Sequence, residues 1–170
     1  MLETVLSFFQ ESVNPKVLVF LISLLPILEL RGALIAASLL GVSWQVAAPL
    51  AVVGNLLPVP FIIYFIESIL NFLAIRGPIQ KIASKLIQKG RAGGEKMLEK
   101  YPNQLMLGLF LFVAIPLPGT GAWTGALIAA LLGLPPRKSI LPIALGIMVA
   151  CLLMLLLTYF VPGLFGFKAQ

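Results

Sequence analysis

Two charged side chains, Glu29 and Arg31, lie in the middle of an apolar segment. Within a membrane such a charge costs about 2.5–3.5 kcal/mol on insertion scales, so it normally faces a cavity or a partner. Glu29 is the candidate proton-titrating group, because burial favours its neutral acid form while a nearby guanidinium favours the carboxylate. Arg31 is the candidate for binding an anionic substrate group such as a phosphate. A structural ion pair between the two is the alternative.

A second candidate, Asn55, lies with Gly54, Pro58 and Pro60 in another apolar segment. The two prolines free backbone carbonyls, which together with the amide could coordinate an ion or a substrate hydroxyl. The alternative is a kinked helix in which the amide caps the broken backbone. Glu67, further along this segment, either contributes to function or reaches the interfacial water.

A third candidate region, residues 116–125, carries no charge. Its possible ligands are exposed backbone amides, the hydroxyls of Thr120 and Thr124, and the ring of Trp123. Packing of its small residues against another helix is the competing role. Positions expected to break helices, here and in the other two regions, are Pro26, Gly32, Gly54, Pro58, Pro60, Pro116, Pro118, Gly119 and Gly121.

Composition excludes most other chemistry. The chain has no histidine and one cysteine, so His-based catalysis, His-ligated zinc and an internal disulfide are excluded. We expect no metal, no cofactor and no enzymatic activity. Of 170 residues, 60% are hydrophobic and 11% charged, whereas soluble domains carry about 25% charged residues. The sequence therefore predicts an integral membrane protein, which we place in a prokaryotic inner or plasma membrane.

Helical periodicity and apolar runs divide this single membrane domain, residues 1–170, into segments. Residues 2–13 predict an amphipathic interfacial helix. Segments 17–42, 44–72, 104–133 and 139–163 are each long enough to cross the bilayer, which takes about 20 helical residues. Prolines and glycines interrupt 17–42 and 104–133 at their centres, which favours two re-entrant hairpins. Proline-kinked spanning helices are the alternative.

The two halves of the chain also repeat. Residues 32–37 and 125–130 are identical, and the prolines and glycines around them occupy similar positions. A hairpin returns the chain to its starting side and the next helix crosses once, so the repeats are inverted. The predicted fold class is an all-α membrane protein built from an inverted repeat of a re-entrant hairpin plus a transmembrane helix.

The segment between the halves, residues 76–100, holds seven of the twelve basic residues. The positive-inside rule places it in the cytoplasm, where its amphipathic pattern predicts contact with anionic lipids rather than nucleic acid. The distribution of charges places this loop in the cytoplasm, but it is equally consistent with two hairpins and with four spanning helices. Two hairpins and two helices make a thin wall around a cavity, which favours a homo-oligomer.

Three motifs resemble those of the Putative small multi-drug export protein family: PxxExRGA at 26–33, GNxxPxPF at 54–61 and PxPGTGAWTG at 116–125. That family is distantly similar to the DedA/VTT membrane proteins, and this resemblance implies paired re-entrant hairpins with inverted symmetry. Some DedA-type relatives move lipids such as undecaprenyl phosphate, or are argued to be proton-coupled. Those proteins carry arginines around the second hairpin, whereas the second tip is uncharged here, which weakens the expectation of lipid-phosphate transport.

Three functions follow as hypotheses. The first is a proton-coupled secondary transporter of a small or amphiphilic substrate, with its site between the two hairpin tips. The second is a translocase for undecaprenyl phosphate or phospholipid, in which Arg31 guides the head group. The third is a membrane assembly protein that transports nothing.

Overall fold

The computed structural model describes residues 14–76, 84, 88, 92, 99, 102–117 and 119–161. These residues form α-helices and no β-strand, so the described chain is all-helical. The elements are α1 (Pro15–Leu24), α2 (Glu29–Leu39), α3 (Trp44–Leu56), α4 (Pro58–Arg76), α5 (Pro102–Ala114), α6 (Ala122–Leu131) and α7 (Pro136–Leu155), and α7 continues as a π-helical turn, Leu156–Phe160.

The first apolar segment is interrupted between α1 and α2. Asn14 caps α1 by accepting a hydrogen bond from the Lys16 N–H at 3.0 Å, and Pro15 occupies the first helical position. Leu25 is extended, with φ −76° and ψ 135°, because a residue that precedes proline is sterically excluded from the α region. Residues 25–28 form the first tip, and α1 and α2 pack against each other.

The second interruption separates α5 from α6, and its described residues are 115–117 and 119–121. We call residues 115–121 the second tip. Gly119 and Gly121 adopt φ values of +80° and +156°, which favour glycine. Neither 17–42 nor 104–133 therefore forms one continuous helix.

The same turn connects α2 to α3 and α6 to α7. After α2, Gly41 adopts φ +68° and the Val42 N–H donates to the Ala37 carbonyl at 2.9 Å. After α6, Gly133 adopts φ +66° and the following residue donates to Ala129 at 2.9 Å. This is the Schellman motif, in which the residue that follows the helix cap adopts a left-handed backbone and is therefore usually glycine.

Two stretches have the length and hydropathy of membrane spans. They are Trp44–Ile66, with 23 residues, and Pro136–Phe160, with 25 residues. Three shorter apolar helices, Pro15–Leu24, Asn103–Ala114 and Ala122–Leu131, have 10, 12 and 10 residues. Many large apolar side chains on these helices are exposed, as expected for surfaces that contact lipid.

Contacts divide the chain into two compact units. One contains α1, α2, α3 and the chain from Ile147 onward, and the other runs Leu57–Gly146. In the first, α2 and α3 both pack against α1, and in the second, α6 packs against α4 and α5. The predicted interfacial helix at 2–13 lies outside the described residues, as does segment 76–100 apart from Arg76 and four isolated positions.

Candidate functional site

Glu29 occupies an unusual position at the start of α2. Its side chain is only 5% exposed, and its backbone has φ +50°, in the left-handed region. That conformation costs a residue with a Cβ about 1–2 kcal/mol. The Glu29 N–H donates to the Leu25 carbonyl at 2.9 Å, which closes the first tip. The first residue of α2, next to the first tip, therefore carries a buried carboxyl group on a strained backbone, a combination that often accompanies functional sites.

Arg31 lies in the same first turn of α2 and is half-buried. The negative charge of Glu29 acts electrostatically on its guanidinium group. The N-terminal end of a helix stabilises an anion and disfavours a cation, so helix polarity favours Glu29 and opposes Arg31. Arg31 thus lies at a helix end that disfavours its positive charge, and the nearby negative charge of Glu29 offsets part of this cost.

Close packing explains why the motif at residues 26–33 has a glycine at position 32. A Cβ on Gly32 would lie 2.8 Å from the Cβ of Leu28. The Gly32 N–H donates to the Leu28 carbonyl at 2.8 Å, which is the i→i−4 bond that joins the last residue of the tip to the first turn of α2. Pro26 is exposed at this tip, and Ile27 beside it is 92% exposed.

Asn55 lies at the C-terminal end of α3, immediately before the interruption at Leu57. Its side chain is 3% exposed, and among the described residues none donates a hydrogen bond to its Oδ1. Pro58 and Pro60 follow in the first turn of α4. The helix break that the two prolines predict is therefore present, with a buried polar group next to it.

Gly54 brings this break to the level of the first tip. Its Cα lies against the last turn of α1, where a Cβ would meet the hydroxyl of Ser23 and lie 2.9 Å from the carbonyl oxygen of Phe20. Ser23 is two residues before the tip begins at Leu25. In the first unit, the C-terminal end of α3, which carries Asn55, thus lies near the same end of α1 as the first tip.

The second tip holds Thr120, whose hydroxyl bonds to the backbone of the tip itself. Its Oγ1 lies 2.8 Å from the Ile115 carbonyl and 2.9 Å from the Leu117 carbonyl, and accepts from the Leu117 N–H at 3.3 Å. These bonds stabilise the irregular backbone, which lacks helical partners here. The Thr120 hydroxyl therefore has a structural role in the second tip.

The other candidate residues of the second tip and α6, and Glu67 in α4, differ in how far the structure describes them. Trp123 and Thr124 are half-buried in the first turn of α6, and Pro116 is half-buried in the tip. Pro118 lies outside the described residues. Glu67 lies within α4, and its side chain is also outside the described part of the chain.

Several polar contacts in the first unit were not predicted, among them those of Ser23 and Tyr159. Ser23 is fully buried and donates to the Phe20 carbonyl at 2.6 Å. Tyr159, in the π-helical turn, donates to the Val42 carbonyl at 2.9 Å. A serine one turn before Pro26 was a usable signal for the first contact, whereas the second joins residues 117 positions apart and has no local signal.

A comparison with protein families connects these residues to a known group. The profile described as Putative small multi-drug export protein matches residues 29–153, well over half of the chain. The chain belongs to this family. The matched range begins at Glu29 and includes Arg31, Asn55 and the second tip. No similar protein was found among curated proteins or among solved structures.

Membership of the small multi-drug export family gives a coarse function. The family description indicates a membrane transporter rather than an enzyme. The two long apolar helices fit an integral membrane protein of this kind. The predicted similarity to DedA/VTT proteins stays a prediction from sequence.

Proposed function

We propose that this protein is a secondary transporter in which Glu29 binds and releases a proton during the transport of a small or amphiphilic substrate. The observation that supports this best is the buried Glu29 carboxyl group, held at φ +50° beside the first tip and next to Arg31. Proton coupling needs a group that changes charge at the substrate site, and Glu29 is the buried carboxyl among the described side chains.

Opposing effects act on the charge of Glu29. By general electrostatics, burial favours the neutral acid, whereas a nearby guanidinium and the N-terminal end of a helix favour the carboxylate. A small change in the surroundings of the tip, such as substrate arrival near Arg31, then shifts the balance between the two forms. A carrier that works in both directions requires this reversibility.

The architecture that we propose for this transporter contains two re-entrant hairpins in an inverted repeat. The described hairpin arms have 10–13 residues, so each is about 15–20 Å long, against about 30 Å of hydrocarbon. A single arm therefore reaches only part of the way across the membrane. The equivalent Schellman turns after α2 and α6 support the repeat.

Transport into proteoliposomes tests the proposal with ethidium as an amphiphilic probe. A pH gradient should drive ethidium accumulation by the wild-type protein, and Glu29→Gln should abolish it because the amide cannot carry the proton. Glu99→Gln is the matched control, since Glu99 is an exposed carboxyl in the central segment, and should transport normally. Gradient-driven accumulation by folded, inserted Glu29→Gln would contradict the proposal.

Lipid translocation is the second candidate, and the exposed first tip favours it. Ile27 is 92% exposed and lies four residues before Arg31, so an acyl chain and a head-group phosphate would both find a partner nearby. In vesicles that contain a fluorescent phospholipid, Arg31→Ala should then suppress flipping, whereas Arg137→Ala, at an exposed arginine, should not. Unchanged flipping in Arg31→Ala would exclude this function.

A further inference from the structure

The amide oxygen of Asn55 is an acceptor without a donor. Asn55 is 3% exposed, and no described residue donates a hydrogen bond to its Oδ1. Native proteins rarely leave such an atom unsatisfied, and the exceptions usually mark a bound water or ion, or a functional role. The buried oxygen therefore needs a ligand that can accept its lone pairs.

The helix break beside Asn55 adds further oxygens. Pro58 and Pro60 have no N–H, so the carbonyls of Gly54 and Leu56 lose the donor that the next helical turn would supply. The C-terminal end of α3 also carries the negative end of the helix dipole. No basic residue lies in the last turn of α3 to neutralise it.

Ser23 contributes one more oxygen to this end of the first unit. Its side chain is fully buried, and its Oγ lies against Gly54, where a Cβ would displace it. The hydroxyl donates its one proton to the Phe20 carbonyl at 2.6 Å. Toward any other group the Ser23 oxygen can therefore only accept or coordinate.

We propose that Asn55 Oδ1, the carbonyls released by the two prolines and the Ser23 hydroxyl form a binding site for Na⁺. Hard cations prefer oxygen ligands, and unwound carbonyls at half-helix C-termini are used to coordinate Na⁺ in transporters. These oxygens are all neutral, and the described residues contain no group of three His, Cys, Asp or Glu side chains that would favour a divalent ion. The site is separate from the proton-binding role proposed for Glu29 and does not depend on it.

Thermal unfolding of the full-length protein in nanodiscs tests the site without a transport assay. A ligand that binds only the folded state raises the Tm in a saturable way. We expect NaCl to raise the Tm relative to choline chloride at equal ionic strength. Asn55→Leu should lose this increment, whereas Asn103→Leu, which replaces an exposed asparagine on α5, should keep it.

Two results would overturn the proposal: an identical wild-type Tm in both salts, as expected if only water occupies the site, or a full Na⁺ response in Asn55→Leu. If Asn55→Leu does not fold, Asn55→Asp provides the test, because aspartate keeps an oxygen ligand and adds negative charge. Its half-maximal Na⁺ concentration should fall several-fold, and an unchanged value would contradict the site. Because stability is measured rather than flux, a negative result leaves the role proposed for Glu29 unaffected.

Discussion

Gly54 in α3 lies so close to Phe20 in α1 that a Cβ on Gly54 would come within 2.9 Å of the Phe20 carbonyl oxygen. In the second unit, a Cβ on Gly146 would lie at the same 2.9 Å from the carbonyl oxygen of Phe110. Each unit thus packs its long helix against the first arm of its broken segment through a glycine. This shared contact supports the internal repeat that we propose.

The first prediction concerns this close approach. Gly54→Ala should destabilise the protein by about 1–3 kcal/mol, because the new Cβ must displace a helix backbone and the Ser23 hydroxyl. Gly108→Ala is the control, since a Cβ there meets no atom within 4 Å, and should be neutral or stabilise by up to about 1 kcal/mol. Thermal unfolding in nanodiscs measures both, and equal effects of the two substitutions would contradict the packing.

The second prediction separates re-entrant hairpins from spanning helices. Lys16 and Ser43 are exposed residues at the two ends of the first broken segment. In a Cys151→Ala background, Lys16→Cys and Ser43→Cys should both react with a membrane-impermeant maleimide added from the outer side. Glu99→Cys in the central segment should react only from the cytoplasmic side.

The alternative model, a kinked helix that spans the membrane, gives a different labelling pattern. If residues 17–42 crossed the membrane as one kinked span, Lys16→Cys would react from the cytoplasmic side together with Glu99→Cys. That result would contradict the re-entrant hairpin. Ser43→Cys reacts from the outside in both models and therefore serves as the control for orientation.

The third prediction concerns the hydrogen bond between Tyr159 and the turn after α2. Tyr159→Phe removes a hydrogen bond to the Val42 carbonyl and should cost about 1 kcal/mol, with more if the carbonyl is left unsatisfied. Tyr64→Phe is the matched control, because Tyr64 is 53% exposed. Chemical or thermal unfolding measures the stability of the two variants. A loss of stability in Tyr64→Phe as large as that in Tyr159→Phe would contradict a stabilising role of the Tyr159 hydrogen bond.

Local chemistry explains which features could be predicted from the sequence. Prolines act on their immediate neighbours, so Pro26 and Pro58 were enough to predict interruptions near residues 25 and 57. Glu29 could be selected as a candidate site residue because a charge in an apolar segment is rare. These inferences use only residues within a turn of each other.

Features set by distant contacts could not be predicted in this way. The backbone of Glu29 is left-handed, a conformation that glycine adopts readily and glutamate does not, so the residue type at this position gave no signal for it. The π-helical turn and its bond from Tyr159 to Val42 join distant parts of the chain. The unsatisfied oxygen of Asn55 became visible only when its burial and partners were known.

Proton release on substrate binding tests the role of Glu29 most directly. Ethidium is added to the purified protein in a weakly buffered detergent solution, and a pH-sensitive dye records the protons that are released. If Glu29 gives up its proton when substrate binds, the wild-type protein and Glu99→Gln should release protons, while Glu29→Gln should bind ethidium and release none. Proton release by Glu29→Gln equal to that of the wild-type protein would contradict the account.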